Sequence, residues 1–275
     1  MPDSKDAQPA NQKKLRLSGD WHGPESFEDY LELEGYLEGL EALYSKKVHW
    51  WARSYWFGDT LFAGGRNLGF LEDEKFTGAI SSNLGEFDSP NHPKQAWRLH
   101  TLVWAAQEAL KIEGDFVEFG AYLGFSSKII CDYIDFETLD RRFFLFDTFD
   151  GTPLEMLNDF SISQNDYAPT AYELIQERYR DYPNVEIIKG SVPDSIPDDR
   201  PKKIAYLSVE MVSAKAEIAG LERVFDRVTP GGIVLLQSYG LTAFHQQFEA
   251  ENKWFRERGY SVLELPTGQG LIIKR

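Results

Sequence analysis

The amino-acid sequence predicts an α/β fold, in which a doubly wound, mostly parallel sheet of seven strands follows an N-terminal extension that is helical and rich in aromatic residues. Three observations predict it. From residue 115 onward, short apolar runs alternate with helical patterns, as in chains whose parallel strands are joined by crossover helices. The last two apolar runs have no helical pattern between them, which predicts an antiparallel hairpin at one edge of the sheet. Before residue 95 the pattern is irregular and dense in tryptophan and tyrosine.

The composition limits the class of protein and its partners. The chain has 275 residues, 42% of them hydrophobic, and a formal net charge of −15. An acidic chain lacks the clustered basic residues that bind nucleic-acid phosphates or anionic lipid. The only cysteine, Cys131, cannot form an intramolecular disulfide, and no apolar run approaches the roughly 18 residues of a membrane-spanning helix. We therefore expect a cytoplasmic protein that binds a small molecule and neither nucleic acid nor membrane.

Residues 1–95 divide into two predicted parts. Residues 1–20 are polar and are predicted to be a disordered tail. Residues 21–95 carry apolar residues at near-helical spacing, followed by the aromatic block VHWWARSYWF, which includes Trp56. Aromatic residues at this density pack in a core, form a subunit interface, or close over a substrate as a lid. All three interpretations stay open, and the second would make the protein a homo-oligomer.

The third predicted part, residues 96–275, holds the sheet. It begins with an amphipathic helix over residues 96–112, which Gly114 ends. The predicted strands are DFVEFG, RFFLFDTF, VEIIKG, IAYLSVEM, GIVLLQSY, YSVLELP and QGLIIKR. The predicted helices between the earlier strands fall near 124–135, 169–181, 214–228 and 243–258. Ligands of such sheets bind at the carboxyl ends of the strands, so the residues that follow the strands are the candidates for a site.

The motif DFVEFGAYLGFSS is the most informative of these strand ends. A buried strand leads into Gly120 and Gly124, which permit a tight turn and the close approach of a ligand to the backbone. The spacing differs from the G-x-G-x-x-G of dinucleotide-binding proteins, and Glu118 would repel a diphosphate. A ligand with an ammonium group suits Glu118 better. A purely structural turn between strand and helix would use the same glycines.

Two further strand ends add to this motif. Asp147 ends the next strand, at the position where an acidic residue accepts hydrogen bonds from ribose hydroxyls, although it would also serve to cap the following turn. The third strand ends on Gly190 and Ser191, beside the expected position of an adenine. Together the three strand ends describe a site for a nucleoside with an amino-acid tail, as in S-adenosylmethionine.

The stretches VEFGAYLGFSS, LFDTFDGTP, IIKGSVPDSIP, PGGIVLLQSYG and PTGQGLIIKR follow the order found in class I methyltransferases, which have a Rossmann-like fold. From about residue 97 to residue 275 the chain resembles the macrocin O-methyltransferase family of antibiotic-sugar enzymes. The resemblance implies S-adenosylmethionine as cofactor, S-adenosylhomocysteine as product and a role in secondary metabolism. The residues expected to contact the cofactor are Glu118, Phe119, Gly120, Ala121, Tyr122, Gly124, Ser126, Asp147, Thr148, Phe149, Gly190, Ser191, Val192 and Glu210.

The sequence departs from that family where its members hold a divalent cation. The family has an Asp-x-Asp pattern after the fourth strand and Asp-Asp-Tyr-Gly after the fifth. Here the corresponding letters are EMV, beginning at Glu210, and QSYG, beginning at Gln237. Magnesium sites combine several oxygen ligands, usually with one or two carboxylates and substrate oxygens. Since one carboxylate remains, we expect no catalytic metal.

Without a metal, a hydroxyl acceptor needs a general base to take its proton. Glu210 is the first candidate, though it would also serve as a ligand of the cofactor ammonium, and His245 is the second, though it would equally be a surface residue. The residues expected to contact the substrate are Gln237, Ser238, Tyr239 and Trp56. The favoured function is metal-independent methyl transfer to a hydroxyl or carboxyl of a small secondary metabolite. The alternatives are a related enzyme that catalyses a rearrangement, elimination or cyclisation, and a non-catalytic binding protein.

Overall fold

The computed structural model describes residues 55–59, 61–84, 92–151 and 171–275. The predicted disordered tail and the predicted helices between residues 24 and 47 lie outside the described residues, as do most of the aromatic block and residues 152–170. The described residues belong to one compact unit. Among them, no helix combines the length and the apolar character that crossing a membrane requires.

Nine strands form two sheets in the described part of the chain. Strands β1 (Tyr55–Gly58) and β2 (Leu61–Gly64) make a separate antiparallel hairpin. The main sheet contains β3 (Asp115–Phe119), β4 (Phe143–Asp147), β5 (Val185–Lys189), β6 (Ile204–Val209), β7 (Val228–Leu236), β8 (Leu263–Glu264) and β9 (Gly270–Ile273). Its order is β5-β4-β3-β6-β7-β9-β8.

The direction of the strands confirms the predicted topology. Strands β3 to β7 pair in parallel, whereas β9 is antiparallel to both β7 and β8. The predicted edge hairpin is therefore confirmed. The order changes direction at β3, where the chain leaves for β4 on one side and β6 lies on the other, and such a switch point opens a crevice at the carboxyl ends of the strands.

The helices are α1 (Glu74–Ser82), α2 (Ala96–Ala109), α3 (Phe125–Ile134), α4 (Ala171–Arg178), α5 (Ala214–Val224) and α6 (His245–Glu257). The five predicted helices from residue 96 onward are confirmed, with ends that differ by a few residues. The hairpin β1–β2 was not predicted, because the aromatic block was interpreted only by what it would pack against and no strand was assigned to it. Aromatic residues favour strands, and the runs YWFG and LFAG flank a two-residue turn, which is the signal that identifies the hairpin.

Alternate residues of the sheet pack into two separate cores, which confirms the doubly wound arrangement. On β4, Phe143 and Leu145 face a core that includes residues of α2 and α3. Phe144 and Phe146 face a second core, with residues of α5 and α6. Side chains of a strand alternate between its two faces, so a strand covered on both sides is apolar throughout. This explains why FVEF, FFLFD and IAYLSV are nearly continuous apolar runs, and it makes the buried Glu118 on β3 unusual.

Candidate active site

A cavity of about 260 Å³ opens at the carboxyl ends of β3, β4, β5 and β6. It brings together most of the residues that were expected to contact a cofactor. Those that line it are Glu118, Gly120, Ala121, Tyr122, Ser126, Asp147, Thr148, Gly190, Ser191, Val192 and Glu210. The position agrees with the switch point of the sheet, where parallel α/β proteins bind their ligands.

The turn after β3 forms the base of the cavity. The backbone N–H groups of Gly120 and Ala121 both donate to the carbonyl oxygen of Phe146, at 2.9 and 3.1 Å. Gly120 has a φ of +84°, and a Cβ atom there would lie 2.0 Å from the carbonyl oxygen of Glu210. Only glycine fits this position, because a side chain would collide with the backbone at the end of β6. Glycine therefore lets the turn after β3 pack directly against the end of β6, and Gly120 itself lines the cavity.

Gly124 has a different role from the one expected. It has a φ of +69° and begins α3, where a Cβ would meet the side chains of Tyr179 and Ile175 at 2.7 and 3.0 Å. The Tyr179 hydroxyl donates to the Gly124 carbonyl oxygen at 2.9 Å. Gly124 does not line the described cavity. It allows α3 and the end of α4 to pack closely, and so acts on the site through the position of the glycine-rich turn.

Asp147 ties the turns after β3 and β4 together. Its Oδ2 accepts from the N–H of Tyr122 at 2.8 Å, and its Oδ1 accepts from the N–H of Phe149 at 2.7 Å. Both donors are non-glycine residues with positive φ, of 45° and 56°. Hydrogen bonds to a buried carboxylate stabilise such strained backbone. The capping role considered for Asp147 is therefore real, and the residue also lines the cavity.

Glu118 is a buried carboxyl on β3, 3% exposed, that borders the cavity. Its Oε2 has no hydrogen-bond partner among the residues that the structure describes. Burial raises the pKa of Glu118 to about 8, a hydrogen bond from Ser127 offsets part of the increase, and the nearby carboxylates of Glu210 and Asp147 add to it. At neutral pH the group is therefore mostly protonated. A cation placed in the cavity would stabilise its ionised form.

Glu210, at the end of β6, faces the cavity and is paired with a buried arginine that the sequence analysis missed. Its side chain is 34% exposed, and its Oε1 lies 3.3 Å from Nη2 of Arg98 on α2. The same Nη2 donates to the carbonyl oxygen of Gln237 at 2.9 Å, and Nη1 lies 3.5 Å from Oδ2 of Asp59. Desolvation raises the pKa of Glu210, whereas the Arg98 charge lowers it.

A signal for Arg98 exists in the sequence. Arg98 lies on the apolar face of α2 with Leu102 and Ala105, which are buried four and seven residues later. A charge on the buried face of an amphipathic helix requires a partner, since an isolated buried charge is unfavourable. The sequence could therefore have predicted that Arg98 has a partner, but it could not identify Glu210.

Three residues that were expected to contact the substrate are buried behind the cavity. Gln237 donates through Nε2 to the Ser208 hydroxyl at 3.1 Å and accepts at Oε1 from Nε2 of Gln269 at 3.3 Å. Ser238 and Tyr239 are 5% and 3% exposed. None of the three lines the described cavity. A polar side chain at a strand end can turn either way, and the partners offered by Ser208 and Gln269 turn Gln237 into the protein.

Phe119 and Phe149 were both expected to contact the cofactor, but both are buried residues of the hydrophobic core. Phe119 packs edge-on against Phe146 with ring centroids 5.5 Å apart, and Phe149 packs against Tyr172 at 5.1 Å. Neither lines the described cavity, although Phe149 contributes its backbone N–H to Asp147.

His245 and Trp56 also lie apart from the lining of the described cavity. His245 begins α6, where its side chain is 59% exposed and lies 3.3 Å from Oε1 of Glu249. It is the surface histidine of the alternative interpretation, so we do not retain it as a base. Trp56 on β1 packs edge-on against Trp97 of α2, with ring centroids 6.3 Å apart. Trp56 thus packs against α2, whereas the other aromatic side chains of the block lie outside the described residues.

The cavity also includes residues that were not among those expected to contact the cofactor. They are Gln95, Leu123, Phe125, Phe146, Gly151, Met211, Val212 and Ala216. Most are apolar, and an apolar residue beside a ligand is indistinguishable in sequence from one in a core. The exception is Gln95, whose amide lies at the start of α2.

The side chains present do not fit a divalent cation. Within the described ranges, no group of three or more His, Cys, Asp or Glu residues is arranged to hold a metal ion. At the position that the sequence comparison with the family suggested, Glu210 already pairs with the Arg98 guanidinium, and the Gln237 side chain is turned to Ser208 and Gln269. A dication at Glu210 would be repelled by Arg98.

Comparison with known proteins adds to this geometry. The family model described as Macrocin-O-methyltransferase (TylF) matches residues 96–259, more than half of the chain. A sequence comparison with curated proteins found no match. The solved O-methyltransferase NovP is similar over 64% of this chain and 79% of its own, with a TM-score of 0.54 and 17% identity. The calicheamicin methyltransferase CalS11 is similar over 76% of this chain and 93% of its own, with a TM-score of 0.56 and 16% identity.

Proposed function

Because the chain belongs to the macrocin-O-methyltransferase family and is a class I methyltransferase, we propose that it transfers a methyl group from S-adenosylmethionine to a hydroxyl or carboxyl of a small secondary metabolite, without a divalent metal. The observation that carries the proposal is the cavity at the strand ends that Glu118, Asp147 and the Gly120 turn share. Residues 96–275 would form the methyltransferase domain. S-adenosylmethionine, when bound, supplies an electrophilic methyl group on a positively charged sulfur.

The residues of the cavity fit this cofactor. The unpartnered Oε2 of Glu118 would accept a hydrogen bond from the ammonium group, and Asp147 would accept from the ribose hydroxyls. Ser191 and Val192 would border the adenine. A Cβ at residue 120 would collide with the backbone of Glu210, so glycine keeps the turn after β3 and the end of β6 close together beside the ligand. The carboxyl groups along the wall favour a cofactor that carries two positive groups.

The pairing of Glu210 with Arg98 supports a reaction without a metal. In the proposed reaction, Glu210 accepts the proton of the acceptor hydroxyl while the acceptor oxygen takes the methyl group. Arg98 holds the carboxylate in place and favours its ionised form, which is the form that can accept a proton. Arg98 also supplies a fixed positive charge at this end of the cavity. An acceptor carboxylate would need no base, so only a hydroxyl acceptor makes activity depend on Glu210.

The first experiment is calorimetric titration of the purified, chelator-treated protein with S-adenosylmethionine and S-adenosylhomocysteine. Micromolar binding without metal is the expected result, and failure to bind either compound would contradict the proposed cofactor site. The second experiment is mass spectrometry of products from a panel of small hydroxylated and carboxylated metabolites. A product that gains one methylene unit supports methyl transfer, whereas an isomeric or eliminated product would favour the non-methylating alternative.

A further inference from the structure

A buried glutamate lies behind the wall of the cavity and bonds to its backbone. Glu217 on α5 is 2% exposed. Its Oε1 accepts from the backbone N–H of Met211 at 2.9 Å and of Val212 at 3.2 Å, and from Nε2 of Gln247 on α6 at 2.9 Å. Met211 and Val212 line the cavity on its β6 side. Glu217 therefore holds this part of the wall from the side that a ligand does not reach.

The segment that Glu217 holds has a backbone shape that its sequence disfavours. Val212 has a φ of 53°, in the left-handed region. A β-branched residue rarely adopts this conformation, because its Cβ approaches the following carbonyl group. Such strain persists where surrounding contacts over-determine it. The carboxylate that accepts from two successive N–H groups is such a contact, and the Ser213 hydroxyl adds another by accepting from Ala216 N–H at 3.3 Å.

A second buried carboxyl faces Glu217. Glu251 on α6 is 0% exposed, and neither of its oxygens has a donor among the residues that the structure describes. Burial and the neighbouring charge of Glu217 raise the pKa of Glu251 well above its usual value, and burial raises that of Glu217. Two adjacent buried carboxyls do not both ionise, so the pair keeps one proton. A proton held on Glu251 agrees with both shifts, because it leaves Glu217 as the acceptor for the wall.

Other charged and titratable groups act on this pair from the neighbouring elements. Glu210, at the end of β6, is itself affected by the charge of Glu217 and is paired with Arg98 of α2. Tyr239, after β7, is affected by the charge of Glu251, and burial raises the pKa of Tyr239. On α6, the neutral amide of Gln247 contacts Glu217.

We propose that Glu217 and Glu251 are positioning residues, in which a carboxylic acid and a carboxylate share one proton and hold the turn Met211–Ser213 in the shape that contacts the cofactor. The inference rests on the proposed function for the identity of the ligand. When the pair loses its proton at alkaline pH, the two carboxylates repel each other, the contact between α5 and α6 loosens, and the wall loses its shape.

The test uses S-adenosylhomocysteine as the probe, because its binding requires no substrate. Calorimetry from pH 6.5 to 9.5 compares the wild-type protein with Glu217→Ala, Glu217→Gln and Glu251→Gln. Glu251→Gln keeps a donor but removes the titrating proton. We expect it to bind within twofold of wild type at pH 7 and to bind increasingly better than wild type towards the alkaline end of the range. The ratio of the two affinities at each pH cancels the titration of the ligand amino group and of Glu118.

Glu217→Ala should bind S-adenosylhomocysteine at least tenfold more weakly than wild type. Glu217→Gln keeps an acceptor oxygen, so its affinity should decrease less. Hydrogen exchange of the Val212 amide provides a readout without ligand, and it should be faster in Glu217→Ala than in wild type. If Glu217→Ala does not fold, Glu217→Gln and Glu251→Gln decide the question. Wild-type affinity and exchange in Glu217→Ala, or a constant affinity ratio across pH for Glu251→Gln, would overturn the proposal. Failure of wild-type binding would instead contradict the proposed function.

Discussion

Binding of S-adenosylmethionine should release a proton, because Glu118 must ionise to pair with the ammonium group. The free protein holds this carboxyl protonated, since burial raises its pKa to about 8. A bound cation lowers the pKa towards or below its usual value. The contribution of Glu118 to the affinity should therefore increase as the pH rises from 6 to 8 and level off above 8. Glu118→Gln removes the titration and should give weaker binding with no such dependence.

The size of the pH effect on cofactor affinity follows from the pKa of Glu118. With a pKa of about 8, roughly one-tenth of Glu118 is ionised at pH 7, so the apparent affinity is about tenfold below its limit, or about 1.4 kcal/mol. Below pH 8 the affinity should change about tenfold per pH unit. At pH 7, binding should release about nine-tenths of a proton per cofactor.

The assay is calorimetry at pH 7 in two buffers with different ionisation enthalpies, from which the number of released protons is obtained. Glu222→Gln is the matched control, because Glu222 is an exposed residue of α5 that is outside the cavity lining. This variant should release protons as the wild-type protein does. The reasoning would be refuted if the wild-type protein bound the cofactor without proton release and with constant affinity from pH 6 to 8. Glu118 would then remain protonated beside the ligand.

Four other outcomes are expected. Asp147→Ala should weaken cofactor binding by at least an order of magnitude, since a hydrogen bond to a charged group contributes about 1.5–3 kcal/mol; unchanged binding in the same titration would remove Asp147 from the site. Gly120→Ala should lower the melting temperature more than Gly259→Ala, because both positions have positive φ but only a Cβ at residue 120 meets backbone, and equal shifts would argue against the clash. With a hydroxyl substrate, Glu210→Gln should reduce kcat about 100-fold or more while S-adenosylhomocysteine affinity stays within a few fold, and full activity would exclude Glu210 as the base. Activity should survive a strong chelator; loss on chelation with recovery on added magnesium would show that a metal is needed.

The same ionisation of Glu118 affects stability. Between its usual pKa and its raised pKa of about 8, the unfolded chain releases a proton that the folded protein retains. The contribution of Glu118 to the free energy of unfolding therefore decreases as the pH rises through this range.

The sequence alone determined the fold, and it also predicted Gly120 and Asp147 as residues at the ligand-binding end of the sheet. Strands that are covered on both faces must be apolar almost throughout, so FVEF, FFLFD and IAYLSV identified the central strands without any knowledge of their neighbours. Gly120 and Asp147 were predictable because their roles depend on backbone shape and on strand ends, which are local properties of the chain.

Only the tertiary structure decided which polar groups meet. Arg98 and Glu210 are 112 residues apart in the chain, and the pair Glu217–Glu251 joins two helices across a loop and a strand. A buried charge signals in sequence that it needs a partner, but the choice of partner depends on the packing of distant elements. The same holds for Gln237, which turns away from the cavity because Ser208 and Gln269 happen to lie behind it. Local sequence patterns therefore determined where the strands end, and long-range packing determined which charged and polar groups meet there.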